Sequence, residues 1–186
     1  MAGDLRGRRI EVAAATRPTI DRLRAAIFDS LGAPPPARVL DCYAGSGALG
    51  IEALSRGAEH VRFIERDTRA CAAIRANLRR LELDHCATVE RADVLRADLA
   101  AGGPFGLVLA DPPYADDPWI QLLERLAEPG LVSGDGLVVA EFSARRVVPD
   151  APPRWCAWKT RRHGDGAFAV YRRSRNGESD DHRTSL

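Results

Sequence analysis

Val39-Leu40-Asp41-Cys42-Tyr43-Ala44-Gly45-Ser46-Gly47-Ala48-Leu49-Gly50 reads as an apolar strand, a turn of small residues and the start of a helix. That order decides the fold, because a strand feeding a helix through a glycine turn opens a βα unit of a parallel sheet. Glycine turns of this kind let a ligand lie against the main chain. The same signals then alternate along the chain. Strands are predicted at 38–42, 61–65, 87–91, 107–111 and 137–142, with helices at 48–56, 68–81 and 118–127 and a poorer helix candidate at 94–100. An α/β fold follows, with a mostly parallel sheet and helices on both faces.

Both ends of the chain depart from that rhythm. Residues 155–160 and 167–172 read as two strands joined by a glycine-containing turn, an antiparallel hairpin added to the sheet edge. Before the first βα unit, residues 8–13 suit a short strand. Thr19 suits the N-cap of a helix with Ile20, Leu23, Ile27 and Leu31 on one face. Gly32-Ala33-Pro34-Pro35-Pro36 ends that helix. The expected organisation is a basic N-terminal extension (1–34), a main domain (35–173) and a polar, disordered tail (174–186).

At 186 residues and 45% hydrophobic content, the chain suits one domain with a full core. It has neither an apolar run of membrane-spanning length nor the apolar stretch of a signal peptide, so it reads as cytosolic. The four cysteines lack metal-ligand spacing, and neither disulfide nor metal site is expected. The net charge of +1 hides two basic ends. Arg6, Arg8, Arg9, Arg17, Arg22 and Arg24 crowd the first, and six arginines with Lys159 crowd the stretch from Arg154 to Arg175. Two such ends suit a phosphate backbone.

Four strands end near an acid: Asp41, Glu65, Asp93 and Asp111. Ligands of open α/β sheets bind beyond the carboxyl ends of the strands, so these acids are expected to line one crevice. Asp111 opens the run Asp111-Pro112-Pro113-Tyr114. The prolines force a stiff, extended exit from the strand. Asp111 and the Pro112 carbonyl then offer two acceptors beside an aromatic ring, which matches the two in-plane N–H donors of a planar amine.

The stretch from Gly45 to Gly50 also satisfies the dinucleotide fingerprint, with Glu65 placed to accept from a ribose hydroxyl. A dinucleotide-dependent oxidoreductase is therefore one reading. Against it, Asp41 just before the turn would repel a pyrophosphate and suits the ammonium of an amino-acid moiety. A cationic sulfonium cofactor fits that site better.

These motifs, together with Arg17-Pro18-Thr19-Ile20-Asp21-Arg22-Leu23-Arg24, the long match from Tyr43 to Ala58, and Phe63-Ile64-Glu65, make the chain resemble the class I S-adenosylmethionine-dependent methyltransferases. Within them it resembles the bacterial small-subunit (16S) rRNA guanine-N2-methyltransferases, from about residue 6 to 172. The resemblance implies a seven-stranded Rossmann-like sheet and S-adenosyl-L-methionine as cofactor. It implies Asp41, Gly45 and Gly47 around the methionine part, Glu65 on the ribose and Asp93 near adenine, with Tyr43, Ala44, Arg66 and Val94 alongside. Asp111, Pro112 and Tyr114 become the catalytic group at the target base, and Pro113, Arg17, Thr19, Arg22 and Arg24 the substrate contacts. The implied partner is ribosomal RNA, naked or within an assembling small subunit, bound by a cytoplasmic monomer. A methyltransferase for another planar amine, such as DNA adenine or protein glutamine, and a non-catalytic RNA-binding protein remain open beside it. Residues 11–16, between the first strand and Arg17, lack the proline and glycine usual in that family.

Overall fold

The structure, a computed structural model, describes residues 18–113 and 116–174. The expected strand at 8–13, the tail beyond 174, and the site residues Arg17 and Tyr114 lie outside the described residues, as does the side chain of Thr19.

Helix α1 (Pro18–Leu31) leads into β1 (Arg38–Cys42), α2 (Ala48–Ser55), β2 (His60–Glu65), α3 (Thr68–Arg80) and β3 (Ala87–Arg91). Then follow β4 (Phe105–Ala110), α4 (Trp119–Leu126), β5 (Val132–Ser143), β6 (Trp155–His163) and β7 (Gly166–Arg173). The seven strands form one sheet in the order β3-β2-β1-β4-β5-β7-β6. β1 to β5 are mutually parallel, and β7 runs antiparallel between β5 and β6.

Alternation along the strands divides the core in two. Leu40, Val108, Val138 and Tyr171 pack on one face with Trp119, Leu122, Leu123 and Leu126 of α4. On the other face, Val39, Phe63, Leu109, Val139 and Phe168 pack with α1, α2 and α3. Leu23, Ile27, Phe28 and Leu31 make α1 part of this second core, so the helix read as an extension is built into the main domain. No described helix is long and apolar enough to cross a membrane.

Local signals and tertiary contacts explain where the expectations stop. α1 already begins at Pro18, a residue pre-organised for the first helical position, so Thr19 falls inside the first turn and not at the cap. The helix candidate at 94–100 is a succession of turns. Asp93 and Asp98 accept from the amides of Leu95 and Ala100, at 2.8 and 3.1 Å, and close local turns instead. Carbonyls that a helix would use are taken by distant arginines: Val94 and Ala97 by Arg125, Asp98 and Leu99 by Arg62.

Candidate active site

β1 delivers its chain to the crevice through a loop that no ordinary turn provides. Tyr43, Gly45 and Gly47 have φ of 58, 55 and 80°, three left-handed residues within five positions. A Cβ on Gly47 would lie 3.3 Å from Ile74, and one on Gly50 would lie 2.7 Å from Phe63 Cζ and 2.8 Å from Asp41 Oδ2. The loop is therefore drawn down onto the sheet, and main chain forms its upper surface.

Two acids brace this loop. Asp41 Oδ2 accepts from the Gly50 amide at 2.8 Å at the start of α2. Glu65 accepts from the Gly45 amide at 2.9 Å through one oxygen and from the Asp67 amide at 2.8 Å through the other. Each oxygen keeps a second lone pair for a ligand. Burial pushes the Asp41 carboxyl up to about 8, the Gly50 amide opposes this, and the negative charges of Asp111 and Glu65 add to the rise. Such a group strongly favours a cation brought beside it.

Register continues the row of acids. Cys42 pairs with Ala110, Ala110 with Ala140, and Ala140 with Ala169. One residue further on come Asp111 beyond β4 and Glu141 within β5, with the Asp111 amide still directed at the Cys42 carbonyl at 3.5 Å. Glu141 lies two residues after Val139, hence on the face of Asp41's partners Phe63 and Leu109. Asp111 keeps accessible surface toward the open crevice, but protein on its other sides displaces bulk water and pushes its carboxyl up to about 6. Glu141 is raised well above the ordinary carboxylate range by burial and then by Asp111, against the pull of Arg24. Neither carboxylate accepts a hydrogen bond from a described residue. The Pro112 carbonyl is likewise free of main-chain donors among them.

Further around the crevice, Asp93 is exposed after β3, with one oxygen committed to the Leu95 amide. Exposed Arg66 pairs with Asp116 at 3.3 Å, joining the end of β2 to the segment after β4. Tyr43 has its hydroxyl buried and without a hydrogen-bond partner among the described residues. Its pKa is raised by burial and by the charges of Cys42, Asp93 and Asp116, while Arg66 opposes them. A buried hydroxyl left unpaired costs free energy that a polar ligand atom would recover. With the acids and the main-chain cradle, it makes the crevice a fit for S-adenosylmethionine, whose sulfonium and ammonium are cationic and whose adenosine is polar.

Two expected contacts take other roles. Val94 is 2% exposed and packs in the α4-side core, so its side chain is not offered to the crevice. Arg24, expected at RNA, is buried beneath α1, paired with Asp21 at 2.9 Å and with Glu52 of α2 at 3.4 Å. Burial among carboxylates withdraws it from phosphate. Arg22 is exposed, as a phosphate contact requires, and so is Pro113. Ala44 is buried, donating to the Ile64 carbonyl at 3.2 Å and accepting from the Gly47 amide at 2.7 Å.

Glu141 enters the site only through the tertiary structure. Its signal was the same as that of the other acids, a carboxylate at the end of the apolar run Leu137-Val138-Val139-Ala140.

The fold also sets α1 against the C-terminal hairpin. α1 packs on β6 and β7: Leu23 lies over Gly166, where a Cβ would come within 2.6 Å of its Cδ2, and Lys159 Nζ donates to the Ser30 carbonyl at 2.6 Å. Exposed Arg161, Arg162 and His163 precede the two-residue Gly164-Asp165 turn, where Gly166 pairs with Ser143 at the crevice end of β5.

The sequence pattern of the family described as Conserved hypothetical protein 95 matches residues 1–172. YlbH of Bacillus subtilis (strain 168), whose name is that of an rRNA methyltransferase, is 36% identical over 179 residues, covering 93% of this chain and 97% of its own. Ribosomal RNA small subunit methyltransferase D of Escherichia coli (strain K12) is 33% identical, covering 97% of this chain and 92% of its own. The solved structure of yhhF from Escherichia coli, also named a methyltransferase, superposes with a TM-score of 0.80 at 30% identity, over 92% of this chain and 95% of that one.

Proposed function

Since this chain belongs to the Conserved hypothetical protein 95 family of S-adenosylmethionine-dependent rRNA methyltransferases, we propose that it methylates the exocyclic N2 of a guanine in 16S rRNA of the small subunit. The observation that carries this reading is the pair of uncommitted acceptors at the end of β4, the Asp111 carboxylate and the Pro112 carbonyl, set beside the acidic cofactor crevice.

S-adenosylmethionine supplies an already activated methyl group. The work left to the chain is alignment. An exocyclic guanine amine is a poor nucleophile because its lone pair is delocalised into the ring. Hydrogen bonds from that amine to Asp111 and to the Pro112 carbonyl favour a pyramidal nitrogen and aim its lone pair at the methyl group. Proximity and orientation of this kind account for most of the acceleration. Asp111, with its pKa near 6, is also suited to take the proton that the amine sheds. Tyr114 is assigned the stacking face over the base. A paired base cannot enter the crevice, so the target is unpaired or flipped. Arg22 and the hairpin cations Arg161 and Arg162 supply the surface for the RNA backbone.

The test is to map modified nucleotides in 16S rRNA from cells with and without the protein, and to restore the missing mark in vitro with purified protein. Loss and restoration of one N2-methylguanosine is the expected result. A restored mark on adenine, or no restored mark on either naked RNA or small subunits, would overturn the reading.

A further inference from the structure

Glu141 stands beside Asp111 at the crevice end of the sheet, one strand away and one register step beyond Ala110↔Ala140. Neighbouring parallel strands lie about 4.8 Å apart, close to the width of a base edge. Glu141 shares the sheet face of Asp41's partners, accepts no hydrogen bond from a described residue, and has the buried cation of Arg24 nearby. A carboxylate left unbonded in a partly enclosed site is costly, and a structural role would have supplied it with donors, as Asp41 and Glu65 are supplied.

We propose that Glu141 selects guanine by accepting a hydrogen bond from the ring N1–H while Asp111 and the Pro112 carbonyl hold the exocyclic amine. This rests on the guanine reading above. Guanine carries N1–H and the N2 amine side by side, three in-plane donors on one edge, and this end of the sheet presents three acceptors. Adenine and other bases with a bare ring nitrogen there present an acceptor to the carboxylate. With Glu141 ionised, two acceptors face each other and both stay unpaired, which is how a polar site rejects a near-isostere strongly; burial beside Asp111 makes this rejection strongest on the alkaline side. Donors from the base favour the ionised carboxylates, and Arg24 supports the same state.

The experiment, run on the alkaline side where Glu141 is ionised, uses the full-length protein and an RNA carrying 2-aminopurine in place of the mapped target guanine. 2-Aminopurine retains the 2-amine but has no N1–H. The wild type should use it about a hundredfold less well than guanine, or worse, in kcat/KM. In Glu141→Gln, the side-chain amide turns to donate to the bare ring nitrogen, and the preference for guanine should shrink to about tenfold or less. 2-Aminopurine also lacks O6, but that loss is common to both proteins, so the change in preference isolates position 141. Equal use of both RNAs by the wild type, or an unchanged preference in Glu141→Gln, overturns the proposal. N2-methylguanosine together with an unchanged preference removes the role of Glu141 alone, whereas a mark mapped to another base removes both readings.

Discussion

Replacing Asp41 by asparagine tests the electrostatics of the crevice. The carboxyl is 1% exposed, and burial, reinforced by Asp111 and Glu65 and opposed by the Gly50 amide, moves its pKa from 3.8 to about 8. An acid whose folded pKa lies above its unfolded value holds its proton more tightly in the folded chain. Its contribution to stability is complete below about pH 4, is lost as the pH climbs between the two values, and is gone above about pH 8. A gap of about four pH units at about 1.4 kcal/mol each amounts to roughly 6 kcal/mol. Asp41→Asn keeps an oxygen for the Gly50 amide and never ionises. The variant should match the wild type near pH 4 and outlast it by a margin that grows to roughly 6 kcal/mol above pH 8. Asp111 and Glu141 titrate in both proteins, so the difference between them reads Asp41 together with its repulsion from Asp111. Urea unfolding from about pH 4 to about pH 9 measures that margin. Above about pH 8, where Asp41 is ionised, the same substitution removes a negative charge from the cofactor crevice and should weaken S-adenosylmethionine by about tenfold in calorimetry. Equal stability of the two proteins at the alkaline end would refute the reasoning.

Gly50→Ala forces a Cβ to within 2.7 Å of Phe63 Cζ, and Phe63 is 0% exposed. Overpacking should cost about 1–3 kcal/mol and exceed the helix-propensity gain of about 1 kcal/mol. Gly134→Ala, whose Cβ meets nothing within 4 Å, is the control, and a stabilised Gly50→Ala in chemical unfolding would contradict the packing. Arg24→Met removes the partner of Glu52 and Asp21 and should cost about 2 kcal/mol or more, with Arg56 still holding Glu52 at 2.8 Å. Arg22→Glu should leave stability within about 0.5 kcal/mol but weaken RNA binding and flatten its salt dependence by about one phosphate contact. The reverse pattern for these two arginines, read by unfolding and filter binding, would mean that their surfaces have been misassigned. Asp111→Ala should slow methyl transfer by about a hundredfold with cofactor affinity intact. Asp111→Asn should retain much of the rate if the carboxylate mainly orients the amine, and should fall as far as alanine if it must take the proton. Full activity in Asp111→Ala would place the chemistry elsewhere.

How far the sequence reached depends on the range of the interactions involved. The first and third strands, 38–42 and 87–91, were read with their observed ends, because alternation and flanking turn residues act over a few positions. The glycine turn and the acids ending β1, β2 and β4 were legible for the same reason, and parallel topology then obliged them to meet at one end of the sheet. The failure at 94–100 was long-range: Arg125 and Arg62 reach that segment from other elements and take its carbonyls. Glu141 carried a local signal, but its place beside Asp111 depends on the pairing of β4 with β5, which the chain order does not state. Arg22 and Arg24 are indistinguishable as letters. Helix rotation alone sends one to solvent and the other beneath α1 to Glu52. The helix of the first basic stretch meets the hairpin of the second only because β7 inserts between β5 and β6 and α1 settles across the pair. Local periodicity and turn chemistry are written residue by residue, whereas burial, charge pairing and convergence arise from contacts between segments far apart in the chain.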